Sequence, residues 1–273
     1  MKTISLALAS VLSLGALVTV AQPAKPLKKV MDLKIPEGGG ANGAAVAWHP
    51  VQQKYYAAMA GNATYTLGVF SATGKLLSPE DQTTFFDIRG LWYNPAKKAL
   101  QMNGYNENGW AQYRLTAKGF PDSAIALYTG MLQPNEQSTG AFNPKENIVY
   151  FLNEDGNIDK YSMKDGIYLD AIELHPGKTK KTDIDEEEED YDIDPLENYN
   201  KSTVIYTGIA GAEVGLLNHD SNQIELYNLK TGLVTKKFSF PADAPVPQFL
   251  NFSYTNGIYW LFDKEARAWK GYK

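Results

Sequence analysis

No cysteine occurs among the 273 residues, so no disulfide framework can hold this chain together. Histidine is scarce as well, at three, which leaves little material for imidazole-based metal or acid–base sites. Past residue 21 no apolar run is long enough to cross a bilayer. Basic excess is also lacking: 26 Lys and Arg face 31 Asp and Glu, and no stripe interleaves basic with aromatic residues, which argues against nucleic acid as a partner. The glycine-rich stretch 38–45, GGGANGAA, is followed by AVAWHP, which is not helical, so it lacks the helix N-terminus that a phosphate-cradling loop requires.

What is abundant is aromatic bulk, with 17 Tyr, 11 Phe and 5 Trp, arranged periodically. Residues 139–176 read as four short strands: apolar runs Ile148 to Leu152, Ile158 to Tyr161 and Ile167 to Leu174 are separated by Asn143-Pro144, Asp155-Gly156-Asn157 and Lys164-Asp165-Gly166. The unit recurs. An aromatic followed by a glycine marks Phe70 with Gly74, Tyr113 with Gly119, Tyr161 with Gly166 and Tyr227 with Gly232, and Trp269 takes the aromatic place in a last copy. The aromatics are spaced 43, 48, 66 and 42 residues apart. A second marker keeps the same register. The prolines of His49-Pro50, Asn94-Pro95 and Asn143-Pro144 precede their aromatic by 17 to 20 residues, and Ala210-Gly211 and Thr255-Asn256-Gly257 stand at the matching places in the last two copies.

A period in the forties with four strands per copy resembles a β-propeller blade, although the signature dipeptides of WD and Kelch repeats are absent. The resemblance covers residue 28 to the C-terminus and implies an all-β, five-bladed propeller of four-stranded antiparallel blades. The fifth copy has no fourth strand, and residues 28–36 form an orphan strand resembling 233–241. The expectation is that the N-terminal strand completes the last blade and so removes an exposed edge. An open sandwich or barrel is the competing architecture.

Residues 1–21 read as a signal peptide, with Lys2 before an apolar stretch, Thr19 and Ala21 at a cleavage site and Gln22 starting the mature chain. Residues 22–27 read as a short linker and 28–273 as one domain, which together predict a secreted or periplasmic protein. The sequons at Asn62, Asn200 and Asn251 are read as chance, the third lying in an inner strand where a glycan would not fit.

Residues 178–200 break the rhythm. From Asp183 to Glu197 there are ten acidic residues and no basic one, and without them the formal charge moves from −5 to +5. A solvated loop is the simplest reading. Calcium is the sharper one, with Asp183, Asp185, Asp190, Asp192 and Asp194 as oxygen ligands, although no glycine supplies the turn of an EF-hand loop. An acidic lid over the basic body is a third.

In propellers the ligand face is the rim where outer-to-inner strand loops meet the turns between second and third strands. The resemblance places Arg89, Trp110, Gln137, Asp155, Asp220, Gln248 and Lys264 there, beside the acidic insertion. Two function classes follow. One is a non-catalytic binding or scaffold module for a protein, peptide or glycan. The other is a hydrolase or lyase of glycosidase type, with Asp87 and Glu136 as the carboxylate pair and His219, next to Asp220, as a further candidate. Motifs of the five-bladed glycosidases or glutaminyl cyclotransferases are not matched residue by residue.

Overall fold

A computed structural model describes residues 23–181 and 194–273. Two short strands, β1 (Lys25–Pro26) and β2 (Lys29–Lys34), lead into five sheets. Sheet one holds β3 (Asn42–His49), β4 (Lys54–Ala60) and β5 (Leu67–Ser71). Sheet two holds β6 (Ile88–Asn94), β7 (Ala99–Gly104), β8 (Trp110–Leu115) and β9 (Pro121–Tyr128). Sheet three is β10 (Ala141–Asn143), β11 (Ile148–Leu152), β12 (Ile158–Ser162) and β13 (Tyr168–Ile172). Sheet four is β14 (Ile205–Ile209), β15 (Ala212–Asn218), β16 (Gln223–Tyr227) and β17 (Val234–Ser239), and sheet five is β18 (Phe252–Thr255), β19 (Ile258–Asp263) and β20 (Ala268–Tyr272). The inner strands β3, β6, β10, β14 and β18 each pack against the next, and β18 returns to β3, so the sheets are the blades of a five-bladed propeller.

The two sequence markers turn out to be turn chemistry. After each of the first three inner strands the first marker residue accepts amides from the turn. Asn94 Oδ1 accepts from Ala96 and Lys97 at 3.0 and 3.2 Å, Asn143 Oδ1 from Lys145 and Glu146, and His49 Nδ1 from Gln52 at 3.2 Å. Proline presets the next dihedral, and a left-handed residue (Gln53, Lys98, Asn147) ends the turn. The marker glycines Gly74, Gly119, Gly166 and Gly232 all have φ between 67° and 83°, the region that L side chains avoid.

Packing follows from alternation along each strand. Each interface between neighbouring blades has its own apolar cluster, five in all, and the marker aromatics Phe70, Tyr113, Tyr161, Tyr227 and Trp269 are buried within them. No blade face is left without a partner, which is why the repeat must close into a ring.

Closure uses two devices. On the outside, β2 pairs antiparallel with β20, setting Leu33 against Trp269, and supplies the missing fourth strand of the last blade. On the inside, β18 and Asn251 just before it set alternate side chains against the backbone of β3. Asn251 Oδ1 accepts from Gly43 N–H at 2.6 Å, and Thr255 Oγ1 from Trp48 N–H at 3.0 Å. Between them, Ser253 Oγ accepts from Val46 N–H and donates to its carbonyl, both at 3.1 Å. Asn251 and Asn200 are fully buried in such bonds, so only the Asn62 sequon lies on exposed surface.

Two details differ from the regular pattern. Sheet one keeps three strands, and its outer strand is reduced to isolated bridges, Phe70 with Leu76 and Thr66 with Thr83. Pro79 in that stretch has no amide to donate. Within the segment read as a linker, β1 lies parallel to β17, pairing Lys25 with Phe238, so the fourth sheet is mixed. The signal-peptide reading falls on residues outside those described. Among the described residues no helix is long and apolar enough to cross a membrane.

Candidate functional site

At the start of β6 the chain places Asp87 and Arg89 two residues apart, and the loop leading to β10 brings Glu136 and Gln137 beside them. Arg89 is only 4% exposed. Its Nη1 donates to Asp87 Oδ1 at 2.5 Å and to the Ile88 carbonyl at 2.9 Å, and its Nε donates to Gln137 Oε1 at 2.7 Å. Its guanidinium lies 4.6 Å from the Tyr105 ring centroid, a cation–π contact. The Tyr105 hydroxyl donates to Glu136 Oε2 at 2.8 Å, and that carboxylate raises the Tyr105 phenol above its ordinary pKa. Asp87 Oδ1 also accepts from Gly61 N–H at 2.9 Å. Backbone bonds bind the same parts: Tyr105 N–H to Asp87 O, and Asn106 N–H to Glu136 O.

The network therefore unites the two carboxylates named from sequence with two of the named rim residues, around a cation that burial alone would not tolerate. Tyr105 is the member that sequence reasoning missed. It lies in the turn after β7, and its partner Glu136 is 31 positions away.

The rim carries strain as well. Phe85, two residues before Asp87, has φ 54° and is 41% exposed; Leu250 has φ 46° and Asn251 φ 58°. A bulky left-handed residue costs about 1–3 kcal/mol. For Leu250 the offset is visible. Its side chain packs into the cluster between blades one and two, and its N–H donates to Ser202 Oγ at 2.7 Å. Phe85 has no such burial, and Phe249, 43% exposed, stands at the corresponding crossing into blade five.

The remaining predicted residues are dispersed. Asp155, Asp220, Gln248 and Lys264 are exposed in separate turns and crossings. Trp110 is corrected from rim to core. It opens β8 with no exposed surface, 6.1 Å from Trp92 and 6.2 Å from Phe151, because its apolar bulk fills the interface between blades two and three. His219 is tied to the end of the insertion, its N–H donating to Asn198 O at 2.9 Å and Nε2 lying 3.2 Å from Glu197 O. Among the described residues no bond joins it to the Asp87–Glu136 network.

Both feet of the acidic insertion converge on one buried carboxylate. Glu225 Oε2 accepts from Gly177 N–H at 3.2 Å before the insertion, from the Tyr199 hydroxyl at 2.8 Å after it, and from the Tyr227 hydroxyl at 2.8 Å. Its Oε1 takes Lys237 Nζ at 2.6 Å. Of the calcium candidates, Asp183, Asp185, Asp190 and Asp192 lie outside the described residues. Asp194 pairs with Lys201 and accepts from Leu196 N–H at 2.8 Å, and these bonds hold its carboxyl below the ordinary pKa. Among the described residues no group of three or more His, Asp or Glu is placed to hold a metal ion.

No protein-family model matches this chain, and no curated protein matches it either. Its likeness is to solved structures. An auxiliary nutrient binding protein from Bacteroides thetaiotaomicron aligns with a TM-score of 0.44 at 11% identity, over 87% of this chain and 60% of its own. A chain of a nidogen/laminin complex aligns with a TM-score of 0.40 at 11% identity, over 72% of this chain and 63% of its own. A glutaminyl cyclase from Myxococcus xanthus aligns with a TM-score of 0.56 at 10% identity, over 92% of this chain and 98% of its own, a likeness that shows the shared propeller fold and nothing finer.

Proposed function

We propose that this protein is a secreted or periplasmic binding or scaffold module, which recognises a protein, peptide or glycan on the rim beside the acidic insertion. The observation that carries the reading is the Asp87–Arg89–Gln137–Tyr105–Glu136 network: a polar surface preorganised by its own hydrogen bonds. Preorganised donors and acceptors next to exposed aromatics lower the ordering cost of association. Phe85 and Phe249 supply those aromatics. The residues on either side of the insertion, Gly177 and Tyr199, are both bonded to Glu225, which supports a role for this part of the chain in the recognition.

The second reading is hydrolysis, favoured by the convergence of Asp87 and Glu136 on one network. A glycosidase needs one protonated carboxyl and one carboxylate facing the sugar. Here Asp87 serves Arg89 and Gly61, and Glu136 serves Tyr105, which favours binding over acid–base work.

Arrays of glycans and of peptides, probed with wild type and with Tyr105→Phe combined with Phe249→Ser, test both readings. Binding that the rim variant loses supports the module. Binding unchanged by the variant, or absent from both arrays, removes it. Turnover of aryl glycosides that Glu136→Gln abolishes would replace it with the hydrolase.

A further inference from the structure

Each inner strand runs from the rim toward the opposite end of the channel: Asp87 precedes β6, and Tyr93 is its next-to-last residue. Along the channel the inner strands enclose a cavity of about 340 Å³, which opens at that far end beside the exposed Pro144, Lys145 and Asn256. The volume is at the small end of the about 300–1,000 Å³ of ligand pockets, which suits a compact ligand rather than an extended chain.

Three half-buried tyrosines from three blades line it: Tyr93 of blade two, Tyr206 of blade four and Tyr254 of blade five. Neighbouring rings hold each in place. Tyr93 lies 4.6 Å from His49, Tyr206 5.9 Å from Tyr150 and Tyr254 4.8 Å from Tyr259, between ring centroids. Their hydroxyls have no hydrogen-bond partner among the described residues. Smaller hydroxyls in the wall are already committed. Ser253 Oγ bonds both backbone groups of Val46, and Thr207 donates to the Ala212 carbonyl at 2.6 Å. Much of the open hydrogen-bonding capacity therefore belongs to phenols, and each phenol can both donate and accept.

The charges at the mouth favour neither sign. Lys145 and Glu146 are consecutive and both exposed. Burial first, and then Glu146 and Glu213, hold the Tyr206 phenol above its ordinary pKa, and burial does the same for Tyr254. An anion meets those carboxylates and a cation meets the Lys145 ammonium, so a neutral ligand is the one that neither opposes.

We propose that this cavity is a second binding site, independent of the rim, for a neutral mono- or disaccharide. The polarised C–H bonds of a sugar ring meet the electron-rich faces of the aromatic wall. Its hydroxyls, which also donate and accept, pair with those of Tyr93, Tyr206 and Tyr254. A carboxylate can only accept and an ammonium only donate, so charged ligands use the three phenols less fully.

Isothermal titration of the full chain with glucose, galactose, mannose, N-acetylglucosamine and cellobiose tests this, with glucuronate and glucosamine as charged counterparts. At least one neutral sugar is expected to bind at millimolar concentration, and more tightly than either charged one. Tyr206→Phe and Tyr254→Phe keep the rings and remove only hydroxyls that the fold does not use. Each should weaken that sugar about three- to tenfold while the thermal unfolding midpoint stays at the wild-type value. No binding of any neutral sugar in the series at millimolar concentration overturns the proposal. So does tighter binding of glucuronate or glucosamine, or binding that both variants leave unchanged, which assigns the sugar to another surface such as the rim.

Discussion

Glu225 is the side chain whose replacement should be felt most widely. It is 2% exposed, and its two oxygens serve Gly177 N–H, the hydroxyls of Tyr199 and Tyr227, and the Lys237 ammonium. Glu225→Gln keeps the volume but turns one acceptor into an NH2 group. Whichever way the amide lies, it sets a donor against donors, either against Lys237 or against the tyrosines. Leaving a partly buried ammonium or a buried hydroxyl unmatched costs about 1–3 kcal/mol each, so a loss of about 2–4 kcal/mol is expected. For a domain of this size each kcal/mol lowers Tm by about 2–4 °C, which predicts a drop of about 4–16 °C by calorimetry.

Removing the opposite charge separates the ion pair from the clamp. Lys237→Met in the Glu225→Gln background should restore part of the loss, because the unmatched cation is gone while the amide can still accept from the tyrosines. Hydrogen exchange should show opening at Gly177 and Tyr199, the two feet of the insertion, before the blade itself opens. If Glu225→Gln costs less than about 0.5 kcal/mol, within the range of an ordinary surface change, the clamp has been misread. Strict additivity of the two substitutions would equally refute the coupling.

Ser253→Ala removes the group that both accepts from and donates to Val46 in the closure ladder, so about 1–3 kcal/mol should be lost in urea unfolding, with faster amide exchange at Val46. Gly232→Ala places a Cβ 2.4 Å from the Glu173 carbonyl at φ 67° and is expected to cost more than about 2 kcal/mol, measured the same way. His49 has its pKa lowered by burial, so the unfolded chain takes up a proton more readily than the folded one. Stability should be full above the ordinary histidine range and decline as pH falls through it. His49→Asn, which places at this turn the residue that blades two and three use, should abolish that acid-side decline while costing about 1 kcal/mol at neutral pH for lost ring packing on Tyr93, both read from denaturation midpoints across pH.

The ring was legible because its signals are local. Asn94, Asn143 and His49 accept amides two or three residues ahead, and Gly74, Gly119, Gly166 and Gly232 supply left-handed dihedrals in tight turns. Both can be read inside a window of five residues. The strand that completes the last blade could be found by counting, since the fifth copy was one strand short and residues 28–36 had no partner. The propeller resemblance implied one rim for Asp87, Arg89, Glu136 and Gln137; in the structure Arg89 bonds Asp87 and Gln137, and Glu136 joins them through Tyr105. What the sequence withheld depends on pairing across blades. Tyr105 looks like any turn tyrosine until Glu136, from the next crossing, accepts its hydrogen bond, and Glu225 looks like an alternating strand charge until Gly177 and Tyr199 close on it. Trp110 was misplaced because an offset of one or two residues at a strand start decides between solvent and an interface.

The ring's closing strand also bears on where variation can be accommodated. Backbone amides of β3 from Gly43 to Trp48 are met by side chains of Asn251 and β18, and the outer edge of blade five is completed by β2, the strand that leads into blade one. A join tied in both ways tolerates irregularity beside it, and blade one, with its outer strand dissolved into bridges, is where the irregularity lies. Blade four, by contrast, gains a parallel strand at its edge and the Glu225 clamp at its rim. It is also the blade against which the charged insertion is mounted. Extra bonding is thus found where a long loop would otherwise pry a blade from its neighbour, since loop closure costs entropy that only anchored ends can repay. The fold is reinforced at the described residues on either side of the insertion.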